Sequence, residues 1–260
     1  MSKDDRLVSV IIPVYNGERY LGEAIESVLA QNYRPIEVII VNDGSTDNTE
    51  AIAKRYGNDI IYARQEKRGP AAARNKGLQM SQGEFIGFLD ADDLWSGNKL
   101  LLQLARMEED PSLGIVLGLS QVMRLQDGDA KLQFEKWHSP ILLLLFGAAV
   151  MRRSVFEKVG FFDETLHHSE DTDWFMRVRE MGISMTIIQE VTLFYRQHES
   201  NMTLDREARN KHFVIALKRS MDRRRQNMGG QVAPLPKLAD LEKVMRNLRD
   251  PIESGEREPD

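Results

Sequence analysis

Short, almost wholly apolar segments alternate with helical patterns through the first 93 residues of the chain. The apolar segments cover residues 8–14, 36–41, 60–62 and 85–89, and the helical patterns cover residues 18–31, 45–56 and 70–80. Strands that are apolar along their whole length belong to parallel sheets with both faces covered by helices. The chain is therefore predicted to have an α/β fold, with a parallel sheet formed by its first part.

Polar clusters follow three of the predicted strands at the points where those strands end. They read PVYN at residues 13–16, NDGS at residues 42–45 and DADD at residues 90–93. In open α/β sheets ligands bind beyond the carboxyl ends of the strands. The three clusters are distant in sequence but are expected at one edge of the sheet, so a functional site is predicted there.

The stretch GFLDADDLW places Asp90, Asp92 and Asp93 directly after a buried strand. Like charges so close together repel, so either water solvates all three or a cation lies among them. Asp90 and Asp92 are two residues apart and point the same way in an extended segment. Such a pair suits Mg²⁺ or Mn²⁺, which typically takes one or two carboxylates together with substrate phosphates. The alternative is a solvated loop in which Asp93 or Ser96 caps the helix predicted over residues 97–109.

Two further groups of the first part are candidates for nucleotide binding. Asp43 ends a buried strand, and its carboxylate can accept a hydrogen bond from the ring N–H of uracil or guanine, whereas turn chemistry explains the Gly-Ser that follows it. Arg74 falls on a predicted helix that faces the same edge, where a guanidinium suits a diphosphate. Lys67 and Lys76 are interpreted as a solvated basic face.

The second part of the chain is less regular and carries two more polar clusters. Glu170 and Asp171 in SEDTDW provide a candidate general base, or the cluster is only a helix start with Ser169 as N-cap. Arg196 and His198 in YRQHES follow a predicted strand, where a single histidine is more often structural than a ligand.

Further elements are predicted in this part by periodicity alone. Strands are expected over residues 113–125 and 185–195, and helices over residues 97–109, 154–159, 171–181 and 204–226. The apolar run PILLLLFGAAVM, residues 140–151, is either a wall of an acceptor site or ordinary core. From residue 229 the chain carries Gly, Pro and charge, which predicts a tail with a short helix over residues 237–248 and disorder after it.

Charge and composition exclude several classes of protein. The 35 basic and 40 acidic residues argue against a nucleic acid partner, and the absence of cysteine excludes disulfides and thiolate metal sites. No P-loop, dinucleotide-binding or HExxH motif is present. The longest apolar run, residues 141–151, is too short to span a bilayer, so a cytoplasmic location is expected. The basic segment 218–225 is either a solvated helix face or a peripheral contact with the anionic inner face of a membrane.

Seven segments, taken in order, resemble family 2 glycosyltransferases of the GT-A fold over residues 7–204. They are VSVIIPVYNGERYLGEAIESVLAQ, IEVIIVNDGSTDNT, GPAAARNKGL, GEFIGFLDADD, GAAVMRRSVFEKVGFFDE, SEDTDWFMRVREMG and YRQHESNMT. The resemblance implies one GT-A domain over residues 1–228. Its donor-binding half would cover residues 7–93 and its acceptor and catalytic half residues 94–228.

The resemblance also implies roles for five residues that would bind the nucleotide sugar. Pro13, Tyr15 and Asp43 would hold the base and ribose, Arg74 would approach the diphosphate, and Asp90 would be the first member of a DxD pair.

Four other residues would carry the metal ion and the chemistry. Asp92, the second member of the pair, would bind Mg²⁺ or Mn²⁺ directly, with His198 as a further candidate ligand. Asp171 would be the catalytic base of an "ED" motif, with Glu170 beside it. The resemblance leaves the donor sugar and the oligomeric state open.

The function implied is inverting, metal-dependent transfer of one sugar from a nucleotide-sugar donor, UDP-linked by preference, to a glycan or lipid-linked acceptor. The QxxRW motif of processive members is absent, which argues against repeated addition. Two alternatives are a catalytically inactive relative that binds a nucleotide sugar or a partner, and a sugar-phosphate nucleotidyltransferase. The four aspartates argue against the first, and the single glycine in PVYNGERY argues against the second.

Overall fold

The computed structural model describes residues 6–125, 133–166, 168–199, 201 and 206–227. The predicted tail and its short helix, residues 229–260, lie outside the described residues. Within the described part, one nine-stranded sheet runs through the molecule, with helices packed on both of its faces.

The first part alternates strands and helices as the periodicity predicts. Its elements are β1 (Val8–Val14), α1 (Leu21–Leu29), β2 (Ile36–Asp43), α2 (Thr49–Lys54), β3 (Ile61–Gln65), α3 (Pro70–Met80) and β4 (Phe85–Phe88). The prediction for the third strand was too short, because this edge strand continues to Gln65 by pairing with the polar end of β2, where Asp43 lies opposite Gln65.

The second part contributes five strands and four helices to the same sheet and its covering layers. They are β5 (Leu94–Trp95), α4 (Lys99–Glu109), β6 (Ile115–Leu125), β7 (Phe134–Lys136), β8 (Ala149–Arg152), α5 (Arg153–Val159), α6 (Glu170–Glu180), β9 (Met185–Gln197) and α7 (Arg206–Asn227). In the apolar run 140–151, residues 146–151 in β8 and the short 3-10 turn before it are buried core, whereas residues 140–145 are partly buried or exposed. A role of residues 140–145 as a wall of an acceptor site stays a prediction.

The strand order is β3-β2-β1-β4-β8-β6-β9-β5, with β7 paired to the free end of β6. Strands β1 to β4 are mutually parallel, as predicted. The sheet as a whole is mixed, because β8 runs antiparallel to both β4 and β6. The two halves of the chain therefore share one continuous sheet, and the carboxyl ends of β1, β2 and β4 lie side by side.

Alternation along the central strands divides the core between the two faces. Val8, Val10 and Ile12 of β1 pack on one face with helices α1 and α4, whereas Ile11 packs on the other face with α3, α5 and α6. Since successive side chains of a strand point to opposite faces, a central strand can be apolar along its whole length only when both faces are covered.

An aromatic cluster positions helix α6. Trp174 is fully buried and stacks on Phe156 with ring centroids 4.7 Å apart, and Phe175 stacks on Phe146 at 5.0 Å. The indole Nε1 of Trp174 also donates to the carbonyl of Gly160 at 3.0 Å. Because these contacts involve the second turn of α6, they fix the position of its first turn, where Glu170 and Asp171 lie.

Helix α7 packs against α6 through ion pairs as well as apolar contacts. Arg223 binds both Asp173 and Glu180 of α6, and Arg219 binds Asp163 in the loop before it. Two arginines of the predicted basic segment 218–225 are therefore turned toward the protein rather than toward solvent. No helix in the described part of the chain combines the length and hydropathy needed to cross a bilayer.

Candidate active site

The loops after β1 and β2 are joined by side-chain hydrogen bonds at the predicted edge of the sheet. The backbone N–H of Asn16 donates to Ser45 Oγ at 2.9 Å, and the N–H of Thr46 donates to Asn16 Oδ1 at 2.9 Å. The N–H of Gly17 also donates to Thr49 Oγ1 at 2.8 Å. The small polar residues of these loops thus satisfy each other's backbone groups, which holds the PVYN and NDGS segments together.

Asp43 is buried at the end of β2, and its carboxylate is strongly oriented. One oxygen accepts from Gln65 Nε2 and from the N–H of Arg68, both at 2.8 Å, and the other accepts from the N–H of Gly69 at 2.7 Å. Each carboxylate oxygen has two lone pairs, so Asp43 retains acceptor capacity after these three bonds. Backbone donors after β3 therefore hold this residue, a contact that the sequence did not predict.

Tyr15 is half-exposed beside Asp43, and the ammonium of Lys67 lies over its ring at 3.7 Å from the centroid. Pro13 is buried in β1, one residue before the strand ends at Val14. Lys67, interpreted from the sequence as merely solvated, is thus in contact with a predicted nucleotide-binding side chain.

Arg74 joins the DADD segment to helix α6. Its guanidinium donates from Nη2 to Asp90 at 2.6 Å and from Nη1 to Glu170 at 2.5 Å, and its side chain is almost fully buried. Burial works to lower the pKa of Arg74, but the charges of Asp90 and Glu170 outweigh it and raise the pKa above its ordinary value. Two segments some 80 residues apart in sequence are therefore linked through one permanently charged cation.

Glu170 and Asp171 are adjacent acids in the first turn of α6. Burial raises the pKa of Glu170, with Arg74 opposing the shift and Asp171 adding to it. Burial also raises the pKa of Asp171, against a hydrogen bond of 2.6 Å from the N–H of Thr172. Ser169 does not provide a side-chain cap, and its φ of 62° places it in the left-handed region, which is strained for a residue with a Cβ. Ser169 therefore occupies the N-cap position of α6, as the helix-start alternative predicts, but its side chain makes no capping hydrogen bond.

Asp92 and His198 meet at the same edge, as the ligand assignment requires. Asp92 Oδ2 lies 3.1 Å from His198 Nε2, and Asn201 Nδ2 approaches the same oxygen at 3.3 Å. The ring of His198 stacks on Tyr20, with centroids 4.5 Å apart and planes 24° apart. Packing against Tyr20 therefore orients the imidazole toward Asp92.

This arrangement fits a divalent cation bound jointly by protein and substrate. Among the described residues no group of three or more acidic or histidine side chains is placed to hold a metal ion. Asp92 and His198 nevertheless form a pair of potential ligands, and Mg²⁺ or Mn²⁺ commonly completes such a partial set with the oxygens of a diphosphate. The donor set therefore suits a cation that arrives with its substrate.

Asp93 has a structural role that the alternative prediction did not anticipate. It is buried, and its carboxylate accepts from the N–H of Arg196 at 2.8 Å. Burial, together with the charges of Asp92 and Asp90, raises its pKa well above the ordinary value. Helix α4 begins after Asn98, without a side-chain cap. The suggestion that Asp93 or Ser96 caps this helix is therefore wrong.

Arg196 organises the segment that carries His198. Its guanidinium binds the carbonyl of Asp92 and the carboxylate of Glu23, and it also lies over the ring of Tyr20 at 5.2 Å from the centroid. Tyr20, Glu23 and Asn201 were not predicted as site residues. They are separated from Asp92 by about 70 or more positions, and no local pattern in the sequence marks these contacts.

Comparisons with known proteins point to one family. The profile of the family described as Glycosyl transferase family 2 matches residues 9–160. An uncharacterised glycosyltransferase of Rickettsia typhi is 36% identical over 211 residues, which cover 76% of this chain and 66% of that protein. The minor teichoic acid biosynthesis protein GgaA of Bacillus subtilis is 32% identical, over 79% of this chain and 50% of its own length. The chain thus spans between half and about two thirds of the length of these two relatives.

Solved structures share the same fold. TarS 1–349 of S. aureus, solved in complex with UDP-GlcNAc, aligns with a TM-score of 0.66 and 22% identity, over 96% of this chain and 73% of that one. The mannosyltransferase PcManGT of Pyrobaculum calidifontis, solved with GDP-Man and Mn²⁺, aligns with a TM-score of 0.66 and 20% identity, over 98% and 77%. At these identities the likeness establishes the fold, which is the GT-A fold.

Proposed function

The chain belongs to glycosyltransferase family 2, and we propose that it moves one sugar from a nucleotide-sugar donor to a hydroxyl group of a glycan or lipid-linked acceptor, with inversion at the anomeric carbon and a requirement for a divalent cation. The observation that carries the proposal is the buried Arg74, which binds Asp90 of the DxD pair and Glu170 of the ED pair at the same time. A donor-side acid and the first turn of α6, which carries the candidate base Asp171 next to Glu170, are thereby held in one site.

Asp43 and Tyr15 are proposed to bind the nucleoside, with a preference for uridine. The oriented carboxylate of Asp43 can accept from the N3–H of uracil, whereas adenine presents an acceptor at the equivalent ring position. The exposed ring of Tyr15, next to it, offers an aromatic surface for the base. TarS, which has the same fold, was solved in complex with UDP-GlcNAc, and a uridine donor is consistent with that complex.

Asp171 is proposed as the general base. Burial raises its pKa, which brings the carboxylate closer to the range in which a base accepts a proton efficiently near neutral pH. The acceptor hydroxyl would give its proton to Asp171 while its oxygen forms a bond to the anomeric carbon. The bond from that carbon to the diphosphate oxygen breaks on the opposite face, and the nucleoside diphosphate leaves with the electron pair.

Two groups would stabilise the charge that develops on the leaving diphosphate. A divalent cation held by Asp92 and His198 would supply Lewis-acid stabilisation there. PcManGT, which has the same fold, was solved with GDP-Man and Mn²⁺. Arg74 carries a fixed positive charge between Asp90 and Glu170, so it offsets the repulsion that these acids would otherwise exert on the diphosphate.

The acceptor class is proposed from the relatives. GgaA, 32% identical to this chain, is named for minor teichoic acid biosynthesis. A glycan or a lipid-linked polymer with free hydroxyl groups would suit a base that is part-buried at the edge of the sheet. The acceptor would approach from the side of α6, since Asp171 lies in its first turn.

A donor hydrolysis screen tests the proposed function. The purified chain, freed of metal by chelation, would be incubated with UDP-, TDP-, GDP- and ADP-linked sugars, with and without added Mn²⁺, and released nucleoside diphosphate measured. Hydrolysis of a uridine donor that depends on Mn²⁺ is expected. Nucleotide binding without any hydrolysis or transfer would support the inactive-relative alternative, and equal hydrolysis with and without the cation would refute the metal assignment.

A further inference from the structure

We propose that the outward face of helix α7 is a docking surface for an anionic lipid bilayer. This inference concerns a surface apart from the active site and does not depend on the proposed chemistry. It rests on three observations: an exposed apolar stripe, a set of basic residues along its border, and the ion pairs that fasten α7 to the rest of the protein.

Four large apolar side chains form the stripe. Phe213, Leu217 and Met221 are spaced four residues apart and so lie on one side of the helix, and Val214 lies beside them. Their exposed fractions are 43%, 37%, 38% and 62% in the order Phe213, Leu217, Met221, Val214. Scattered exposed apolar residues are ordinary, but a contiguous row on one helix marks a surface that is covered in use.

Basic residues border this stripe. Lys211, Lys218 and Arg225 are exposed. Lys218 follows Val214 by four residues and Arg225 follows Lys218 by seven, so both basic residues lie along the edge of the stripe that Val214 forms. The helix carries eight basic and two acidic residues, a net charge of +6 in a chain whose total charge is −5. An amphipathic helix with an apolar row and a basic border lies in the plane of an anionic membrane surface.

The side of α7 that adjoins the stripe is fixed to the protein, so the stripe cannot simply turn inward. Ala216 and Ser220 are buried, and Arg219 and Arg223 form ion pairs with Asp163 and with α6. Within the described part of the chain, these buried and ion-paired residues hold one side of α7 against the protein, and the exposed apolar row beside them can meet an external partner.

Charge argues for a lipid surface rather than a second copy of the chain. A symmetric dimer through this stripe would bring together the exposed basic residues Lys211, Lys218 and Arg225 of both copies, and like charges at such a distance repel. Anionic head groups would instead pair with Lys211, Lys218 and Arg225 while the apolar row enters the interfacial layer.

The location of the surface suits the proposed site. Helix α7 packs directly on α6, whose first turn carries Asp171, and neighbouring helix axes lie roughly 8–10 Å apart. A membrane bound by the outward face of α7 would therefore hold the acid pair within a short distance of lipid head groups. A lipid-linked acceptor could then reach the site without leaving the membrane.

Vesicle sedimentation with the full chain tests the proposal. Binding to vesicles of phosphatidylcholine mixed with phosphatidylglycerol is expected, with much weaker binding to phosphatidylcholine alone and a decline as salt is raised. The double variant Phe213→Ser with Leu217→Ser should bind about tenfold more weakly or worse, because two large apolar side chains no longer enter the interface. The variant Lys218→Ala should bind about fivefold more weakly, since each basic residue near the surface contributes about that factor.

A matched control is available on helix α4. Leu101 and Leu102 are exposed to the same extents, 43% and 37%, as Phe213 and Leu217. The double variant Leu101→Ser with Leu102→Ser should bind vesicles like the parent, and all variants should keep the parent's circular dichroism and donor hydrolysis.

Four outcomes would overturn the proposal. The first is that the parent does not bind the anionic vesicles, and the second is that the α4 control weakens binding as much as the α7 variant does. The third is that the Phe213 and Leu217 changes leave binding unaltered, and the fourth is that light scattering shows a dimer that these changes dissociate into monomers. The last would assign the stripe to a second copy of the chain. If the α7 variants lose vesicle binding but keep full donor hydrolysis, the result supports the docking surface. If the parent shows no donor hydrolysis, the result contradicts the proposed function and leaves the docking surface unaffected.

Discussion

Replacing Asp171 by Asn separates a catalytic role from a structural one in the first turn of α6. The asparagine keeps the shape of the side chain, and its amide oxygen can still accept the 2.6 Å bond from the N–H of Thr172. Burial raises the pKa of Asp171, which means that the folded protein disfavours the charged carboxylate. A neutral asparagine avoids that penalty, so Tm should be unchanged or slightly higher.

Turnover should respond in the opposite way if Asp171 is the base. Positioned proton transfer contributes about 10²–10⁴ to the rate, so Asp171→Asn should lose turnover by roughly that factor while its affinity for the nucleoside diphosphate is kept. If Asp171 only stabilises the N-terminus of α6, its replacement by Asn should change neither turnover nor nucleotide affinity much.

Asp173→Asn is the matched control in the same turn. The carboxylate of Asp173 is buried and binds Arg177 at 3.0 Å through one oxygen and Arg223 at 3.0 Å through the other. An asparagine would direct an N–H donor at one of the two guanidinium groups whichever way its amide is oriented. Breaking one side of a buried pair costs about 3 kcal/mol or more, which corresponds to a fall in Tm of roughly 10 °C for a chain of this size. Turnover per folded molecule should stay close to that of the parent.

The assay is turnover of the donor and acceptor pair, with nucleotide affinity and Tm recorded on the same preparations. The pH dependence adds a second test. Protonation removes the acceptor lone pair of a base, so the parent's kcat should fall as the pH drops through the raised pKa of Asp171, and Asp171→Asn should lack that limb. Near-normal turnover in a folded Asp171→Asn protein would refute the assignment and make Glu170 the candidate.

Three further predictions concern metal binding by Asp92, base recognition by Asp43 and the buried Lys99. Calorimetry should show that nucleoside diphosphate binds more tightly with Mn²⁺ than without it and that Asp92→Ala abolishes this difference; equal affinities would contradict metal binding by Asp92. Competition assays should show UDP binding more tightly than ADP, and Asp43→Ala should reduce that preference; equal binding of the two nucleotides in the parent would rule out base recognition by Asp43. Lys99 is buried, and burial lowers its pKa well below the ordinary 10.5. The unfolded chain therefore binds more protons than the folded one between the two values, so the parent's unfolding free energy should rise with pH up to about 10.5. Urea unfolding of Lys99→Met should lack this slope; an equal slope in both proteins would show that Lys99 does not cause it.

The sequence alone was sufficient to predict the parallel part of the sheet and the convergence of three polar clusters at its carboxyl edge. Strand β1 and helix α3 have the predicted bounds. Strand β1 is buried on both faces, and α3 begins at Pro70, a residue favoured at the first position of a helix. The edge position of Asp43, Asp90 and Asp92 follows from the rule that parallel strands end together. The roles of these residues came from the resemblance to the family, and they stay predictions.

Short strands of the second part could not be predicted in the same way. Strands β5, β7 and β8 have only two to four residues each, too few for an alternating pattern to be recognised. They are strands because a neighbour supplies their hydrogen bonds, as β4 does for β8 and β9 does for β5. The partner, and not the local sequence, determines their conformation.

The sequence by itself determined which chemical groups are present at the carboxyl edge of the sheet: the acids of the DxD and ED segments, an arginine and a histidine. Only the tertiary structure decided how they pair. Arg74 contacts Glu170 across 96 positions, and Asp92 meets His198 across 106, through helices and strands that the packing of the core places. One member of the aromatic cluster, Phe146, lies 5.7 Å from the Arg74 guanidinium. Electrostatic pairing depends on distance in space, and packing of the apolar core sets those distances, so local sequence patterns predict the charges but cannot predict their partners.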